Sequence, residues 1–458
     1  MKATADLTHG PLPRQILFFS LPLIASNLLQ VLFHMSDLAV VGQFSDRGSM
    51  ALGEVGSTAI LITLLTNFLI GLGSGINVLV AKYFGARDHD SLHKTVHTAL
   101  LISIAVGVGL LMIGTVFAYP LMQLLGTHED LIDGAVLYLR IYSLGMPALA
   151  IYNYGNAVLS AVGDTKRPLY FMLSAGVLNI LLNLFFVIVC RMSVEGVALA
   201  SVISQYVSTL LILWALLRAK DVHKLSLSQL RIDPFTARMV LSLGCPAGLQ
   251  NSLFHVANLF IQASVNSLGD PILISGNSAA QNSDALVFDV MTAFYTACST
   301  FIGQNFGAGK RDRIIKSYFW TLAYSFGIAA VLSVFLVGFG SGFLSIFTSD
   351  PAVIEKGMTR LVIMGLSYPI SAFMDNTISA SRGLGKTGVP TFVVIMGSVV
   401  FRILWLATVF LAFRTVESIY LLYPFSWAIT GVAEILYFRY TYRHTLKGMT
   451  PHPPSAIQ

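Results

Sequence analysis

Charge is scarce in this chain. Only 11% of its 458 residues are Asp, Glu, Lys or Arg, less than half the share of about 25% usual in soluble domains. That shortage excludes an ordinary water-soluble globule, and the mean hydropathy of +0.74 agrees. Cysteine is also rare. Cys190, Cys245 and Cys298 stand at irregular spacing in or near apolar segments, which excludes a metal-ligand motif and a disulfide framework. Alternating apolar and polar runs are missing too, so a membrane barrel is excluded in favour of helices. The first apolar segment lacks a small-residue cleavage site and is too long for a signal-peptide core, so it reads as a retained span.

What is present is a succession of apolar runs of spanning length. Twelve helices are expected, at about 14–43, 52–81, 95–118, 131–161, 169–190, 194–217, 239–268, 277–304, 317–346, 353–381, 389–412 and 416–440. The expected organisation is a first lobe of six spans over 1–220, a linker over 221–238, a second six-span lobe over 239–445 and a tail over 446–458. The net charge of +6 lies mostly in the short connections. It therefore reads as membrane topology and not as a nucleic-acid surface. Of the 28 Lys and Arg, 21 fall on the side that carries both termini, and only Arg47, Arg191, Lys356 and Arg414 fall on the other. That asymmetry predicts cytoplasmic termini in a multi-pass plasma (inner) membrane protein.

The two halves repeat at an offset of 221 or 222. Phe84-Gly85-Ala86 recurs as Phe306-Gly307-Ala308, Pro147 as Pro369, and Gly163-Asp164-Thr165 as Gly385-Lys386-Thr387. Leu32-Phe33-His34 recurs as Leu253-Phe254-His255, and Gly176 as Gly397. Ordered matches at one spacing indicate duplication. Six spans per copy give both copies one orientation, an arrangement suited to a transporter with a cavity between its lobes. A phosphate-loop look-alike at Gly385-Lys386-Thr387 follows a membrane helix and is no nucleotide site. Gly71 and Gly75 are expected to let helices approach closely.

Asn27, Gln30, His34 and Asp37 share one face of the first span, within an arc of roughly 80°. An acid at that depth costs on the order of 3 kcal/mol, so it is expected to face a wet cavity and to act there. Burial favours a carboxyl's neutral form, which suits a proton carrier. His34 reads either as a relay or as a packing group, with Gln30 beside it. Asn179 and Asn183 share a face of the fifth span. Asn153, Asn156 and Ser160 form another on the fourth. Amides of this kind serve either to hold a cation or a protonated acid, or as glue between helices. In the second half the matching wall carries His255 and Asn258 but no acid. Asp284 and Asp289 on the eighth span could meet a cationic substrate or, with Asp375, form a buried charge pair with Arg402.

The motifs Leu21-Pro22, Asp37…Val41-Gly42, Ala81-Lys82-Tyr83-Phe84-Gly85-Ala86-Arg87-Asp88, Val162-Gly163-Asp164-Thr165-Lys166-Arg167-Pro168 and Gly303-Gln304-Asn305-Phe306-Gly307-Ala308-Gly309 resemble the MATE (multidrug and toxic compound extrusion) family, in its prokaryotic branch. The resemblance implies an all-α polytopic membrane protein of twelve transmembrane helices in two pseudo-symmetric six-helix lobes, the MATE/MOP fold. It also implies export of organic, often cationic, compounds in exchange for H⁺ or Na⁺, with no cofactor, by a single chain in the bilayer. It places a cation or proton site at Asp37, Asn179, Asn183 and Ser201. Some members of the branch carry a carboxylate where Asn183 stands, and one carboxylate with amides suits H⁺ as well as Na⁺. The family's second-lobe ion site needs an acid on the seventh span, which this chain lacks. Two alternatives remain at this level. One is a flippase for lipid-linked sugars, disfavoured by the excess of membrane acids over bases. The other is an intramembrane enzyme, for which only His34 and Asp37 form a close pair.

Overall fold

The computed structural model describes residues 5–45, 48–346 and 348–447. Lys2 and Arg47 of the charge count, and residues 448–458 of the expected tail, lie outside them. The spans are α1 (Leu12–Phe44), α2 (Gly48–Ala86), α3 (His89–Val116), α4 (Glu129–Ser143 and Met146–Ala161), α5 (Lys166–Leu184), α6 (Val194–Leu217), α7 (Pro234–Asn266), α8 (Pro271–Gly307), α9 (Arg311–Gly338), α10 (Pro351–Gly383), α11 (Gly388–Phe413) and α12 (Val416–Thr445). Among the described residues nine helices are long and apolar enough to cross a membrane, and two-part α4 makes a tenth. Helices α7 and α10 are more polar, but at 33 residues each they exceed the spanning length. With them the count reaches the twelve expected. No strand occurs among the described residues. Large apolar side chains such as Val334, Phe413 and Leu366 are about 70% exposed, as expected where lipid is the solvent.

Local chemistry sets the helix ends. Asp88 caps α3 by accepting from Ser91 N. Asp270 caps α8 ahead of Pro271, and Asp350 caps α10 ahead of Pro351. Proline at the first helical turn loses no hydrogen bond there. The fourth span, expected to be continuous, is instead bent by 46° between Ser143 and Met146. Gly145 precedes a helix that starts afresh with Pro147 in its first turn, and glycine is the residue least inclined to continue a helix.

The duplication is visible in backbone geometry. Gly163 and Gly385 both take positive φ, 89° and 76°. The short helices after α3 and α9 start at Ala118 and Gly340, related by the offset of 222. Wide π turns extend α5 at Phe185–Val189 and interrupt α11 at Leu406–Phe410, related by 221.

The chain divides into two compact units. One holds Met1–Asp6 and Ala25–Gly248, the other Leu7–Ile24 and Leu249–Gln458. Thus α1 and α7 each change unit two residues after an internal proline, Pro22 and Pro246. A mid-helix proline leaves one carbonyl without its amide partner and bends the helix. In the first unit, α2 meets α7 at glycines. A Cβ on Gly71 would lie 2.3 Å from Gly248 N, and one on Gly75 2.5 Å from Gly244 N. The backbones touch, as the two small residues of α2 predict.

Candidate ion-binding site

In the first unit three helices converge on Asp37. Asn183 Nδ2 on α5 donates to Asp37 Oδ1 at 2.5 Å. Ser201 Oγ on α6 donates to Oδ2 at 3.4 Å. Asn179 Nδ2 lies 3.4 Å from Ser201 Oγ, and Asn183 Nδ2 lies 3.3 Å from Asn179 Oδ1. Asn179, Asn183 and Ser201 are all buried. Asn183 Oδ1 is buried without a partner, which leaves one amide oxygen for a cation or a carboxyl proton. One carboxylate, two amides and a hydroxyl supply the hard oxygens that a proton or an alkali cation requires.

Close contact between α1 and α5 makes this geometry possible. The ring of Phe33 sits where Gly176 would carry a Cβ, about 1.9 Å from that point. Asn183 lies two turns beyond Gly176 and Asp37 one turn beyond Phe33, so the glycine sets the approach that joins the amide to the acid. The π turn that follows Asn183 widens the helix beside the site, a feature frequent at functional positions.

Not every expected residue joins the cluster. Gln30 and His34 are exposed, and neither makes a hydrogen bond. Asn153 Nδ2 donates to Leu149 O within its own helix, and Asn156 Oδ1 accepts from Ser160. Sequence reasoning missed Tyr138, buried, and Tyr142, half-buried, on α4, whose phenols lie within electrostatic range of Asp37. An aromatic in an apolar span carries no signal that separates such a role from packing.

In the second unit Asp284 pairs with Arg360, not with Arg402. Arg360 Nε donates to Asp284 Oδ2 at 2.8 Å, and Nη1 donates to Asn277 Oδ1 at 3.2 Å. Tyr420 OH and Gln262 complete this buried network through Asn277. Arg360 is itself buried, and its depth is what redirects the pair. Arg402 is 2% exposed. It donates to Ser426 Oγ and lies over the rings of Tyr423 and Phe254, at 4.7 and 5.6 Å. Asn258 Oδ1 accepts from Tyr423 OH at 3.4 Å. His255 and Asp289 are half-buried. Asp375 lies within electrostatic range of both Arg382 and Arg402.

The MatE family model matches residues 22–185 and 246–416, most of the chain and both halves of the repeat. The chain belongs to the MatE family. This MATE transporter is therefore a multi-pass membrane protein and not an enzyme. It is 29% identical over 438 residues to the probable multidrug resistance protein YpnP of Bacillus subtilis, covering 95% of this chain and 96% of that protein. It is 25% identical over 374 residues to an FAD transporter of Shewanella oneidensis, covering 80% of this chain and 81% of that one. In three dimensions it resembles a multidrug resistance MATE family transporter of the MOP superfamily in its outward-facing conformation. The TM-score is 0.89 at 19% identity, and the match covers 98% of this chain and 99% of the other. These relatives do not favour the lipid-linked sugar flippase.

Proposed function

We propose that this transporter exports organic, cationic or amphipathic compounds from the cell in exchange for H⁺ or Na⁺, with Asp37 as the coupling group. The observation that carries this reading is the Asn183–Asp37–Ser201 contact, extended by Asn179. It gives the one acid of α1 uncharged donors, and among the described residues no Lys or Arg pairs with it, so no fixed cation holds the carboxylate ionised. Such a group can exchange a proton or a cation with water. Loading from outside favours release of substrate, and loss of the ion to the cytoplasm resets the site. Binding of either ligand weakens the other, as linkage requires.

The names of the relatives support the cargo class, as multidrug resistance proteins dominate among them. The Lys and Arg asymmetry supports cytoplasmic termini in the plasma membrane. The chain acts as a monomer and needs no cofactor. The test is binding of a fluorescent organic cation to purified protein. In the wild type, affinity falls by about tenfold or more as the site is loaded with protons, or with Na⁺ at fixed pH. In Asp37→Asn the affinity no longer responds to the coupling ion. An unchanged response in the variant would remove Asp37 from the coupling scheme.

A further inference from the structure

The second unit holds buried ionisable groups that the site at Asp37 does not use. Glu434 on α12 is fully buried, and neither carboxylate oxygen has a hydrogen-bond partner. Arg382, in the last turn of α10, donates from Nη2 to Gln250 Oε1 on α7 at 2.9 Å. Its Nε is buried without a partner, as is Oδ2 of Asp375, two turns earlier on the same helix. Both acids lie within electrostatic range of Arg382. Neither forms an ion pair with it.

An ionised carboxylate sealed from water with no donor costs several kcal/mol, whereas a protonated one costs far less. Arginine does not give up its proton in proteins. The arrangement is therefore at low energy only if the acid is neutral while the guanidinium is held elsewhere. We propose that Glu434, together with Asp375, forms a second proton-binding site, and that Arg382 is the switch that responds to it. While Glu434 carries a proton, Arg382 stays on Gln250, as it does here. When the Glu434 O–H bond breaks, its proton passes to water beside the half-buried Asp375 and Arg382. The carboxylate then draws the guanidinium, with its unused Nε–H, away from Gln250.

The consequence reaches α7. Gln250 follows Gly248, where α7 changes unit, by two residues. It also accepts from Thr391 Oγ1 on α11 at 3.3 Å. Loss of Arg382 thus removes one of the two hydrogen bonds that Gln250 Oε1 accepts, four residues past the proline of α7. Other ionisable groups around the site are few. They are Arg402 on α11 and Tyr295 on α8, both in range of Asp375, Cys298 on α8, which donates to Asn376 O of α10, and Tyr318 on α9, whose ring meets Phe438 of α12.

The test is infrared difference spectroscopy of the purified full-length protein, titrated from acid to alkaline pH without substrate. It reads protonation and not transport, so its outcome is separate from that of the export reading. Wild type shows a protonated-carboxyl band that Glu434→Gln lacks and Asp37→Asn retains. Gln250→Leu frees Arg382 for Glu434 and moves that band's midpoint to lower pH by about one unit, tenfold in proton affinity. A band unchanged in Glu434→Gln would overturn the proposal, as would a midpoint unmoved in Gln250→Leu. Should Glu434→Gln fail to fold, the Gln250→Leu comparison decides alone.

Discussion

At positions 87 and 309 the two copies of the repeat make the same left-handed turn. Gly309 has φ 70°, and Arg87 has φ 56°. A side chain there costs about 1–2 kcal/mol that glycine avoids. Arg87→Gly is therefore expected to raise the thermal midpoint of the purified protein, by the equivalent of about 1 kcal/mol, with efflux unchanged. A second prediction concerns pH. His223, in the connection between α6 and α7, is 1% exposed, and neither ring nitrogen has a partner. Burial lowers its pKa; Asp221 and Asp164 oppose that shift to a smaller extent, and Arg167 adds to it. The unfolded chain then takes up a proton that the folded chain refuses. Stability should fall as pH drops below the ordinary histidine value of about 6.5 and continue falling towards the lowered folded value. His223→Phe should flatten that loss in melting curves between neutral and mildly acid pH. Asp37, Asn179 and Asn183 were legible because an acid and amides at helical spacing stand out in oily spans, whereas Ser201 came only from the resemblance to the family. The neighbouring Tyr138 and Tyr142 were not, since hydropathy does not record what a phenol faces. Asn153 and Asn156 show the same signal in sequence, but the hydrogen bonds they make stay within their own helix.

At the scale of elements, glycine sets two close helix contacts, α2 with α7 and, beside the candidate site, α1 with α5. Gly71 and Gly75 were readable as a close-approach motif, and their partners Gly244 and Gly248 repeat the same spacing around Pro246. Gly75→Val should destabilise the fold by about 1–3 kcal/mol or prevent folding altogether, seen as loss of monodisperse protein. Gly176→Leu should displace Phe33 and part Asp37 from Asn183. It is expected to weaken ion-dependent substrate binding more than it lowers stability. The break in α4 escaped the sequence reading for a definite reason. Pro147 and Pro369 match in the repeat, and α10 stays continuous through Pro369. The copies differ two residues earlier, where Gly145 corresponds in the repeat to Ser367, and the glycine copy is the one that bends.

For the whole molecule, the duplicated plan was legible because an offset of 221 or 222 preserves turn glycines, π turns and short terminal helices together. The unit boundaries inside α1 and α7 were not, because hydropathy runs unbroken through Pro22 and Pro246. The copies are not chemically equal. Only the first copy sets an acid among amides on its opening helix, where the second has Asn258. The most direct measurement is efflux of a fluorescent organic cation from proteoliposomes with pH and Na⁺ gradients imposed separately, comparing wild type with Asp37→Asn. One of the two gradients is expected to drive efflux in the wild type and neither in the variant, which still binds the dye. Gradient-driven efflux at the wild-type rate in Asp37→Asn would contradict that expectation.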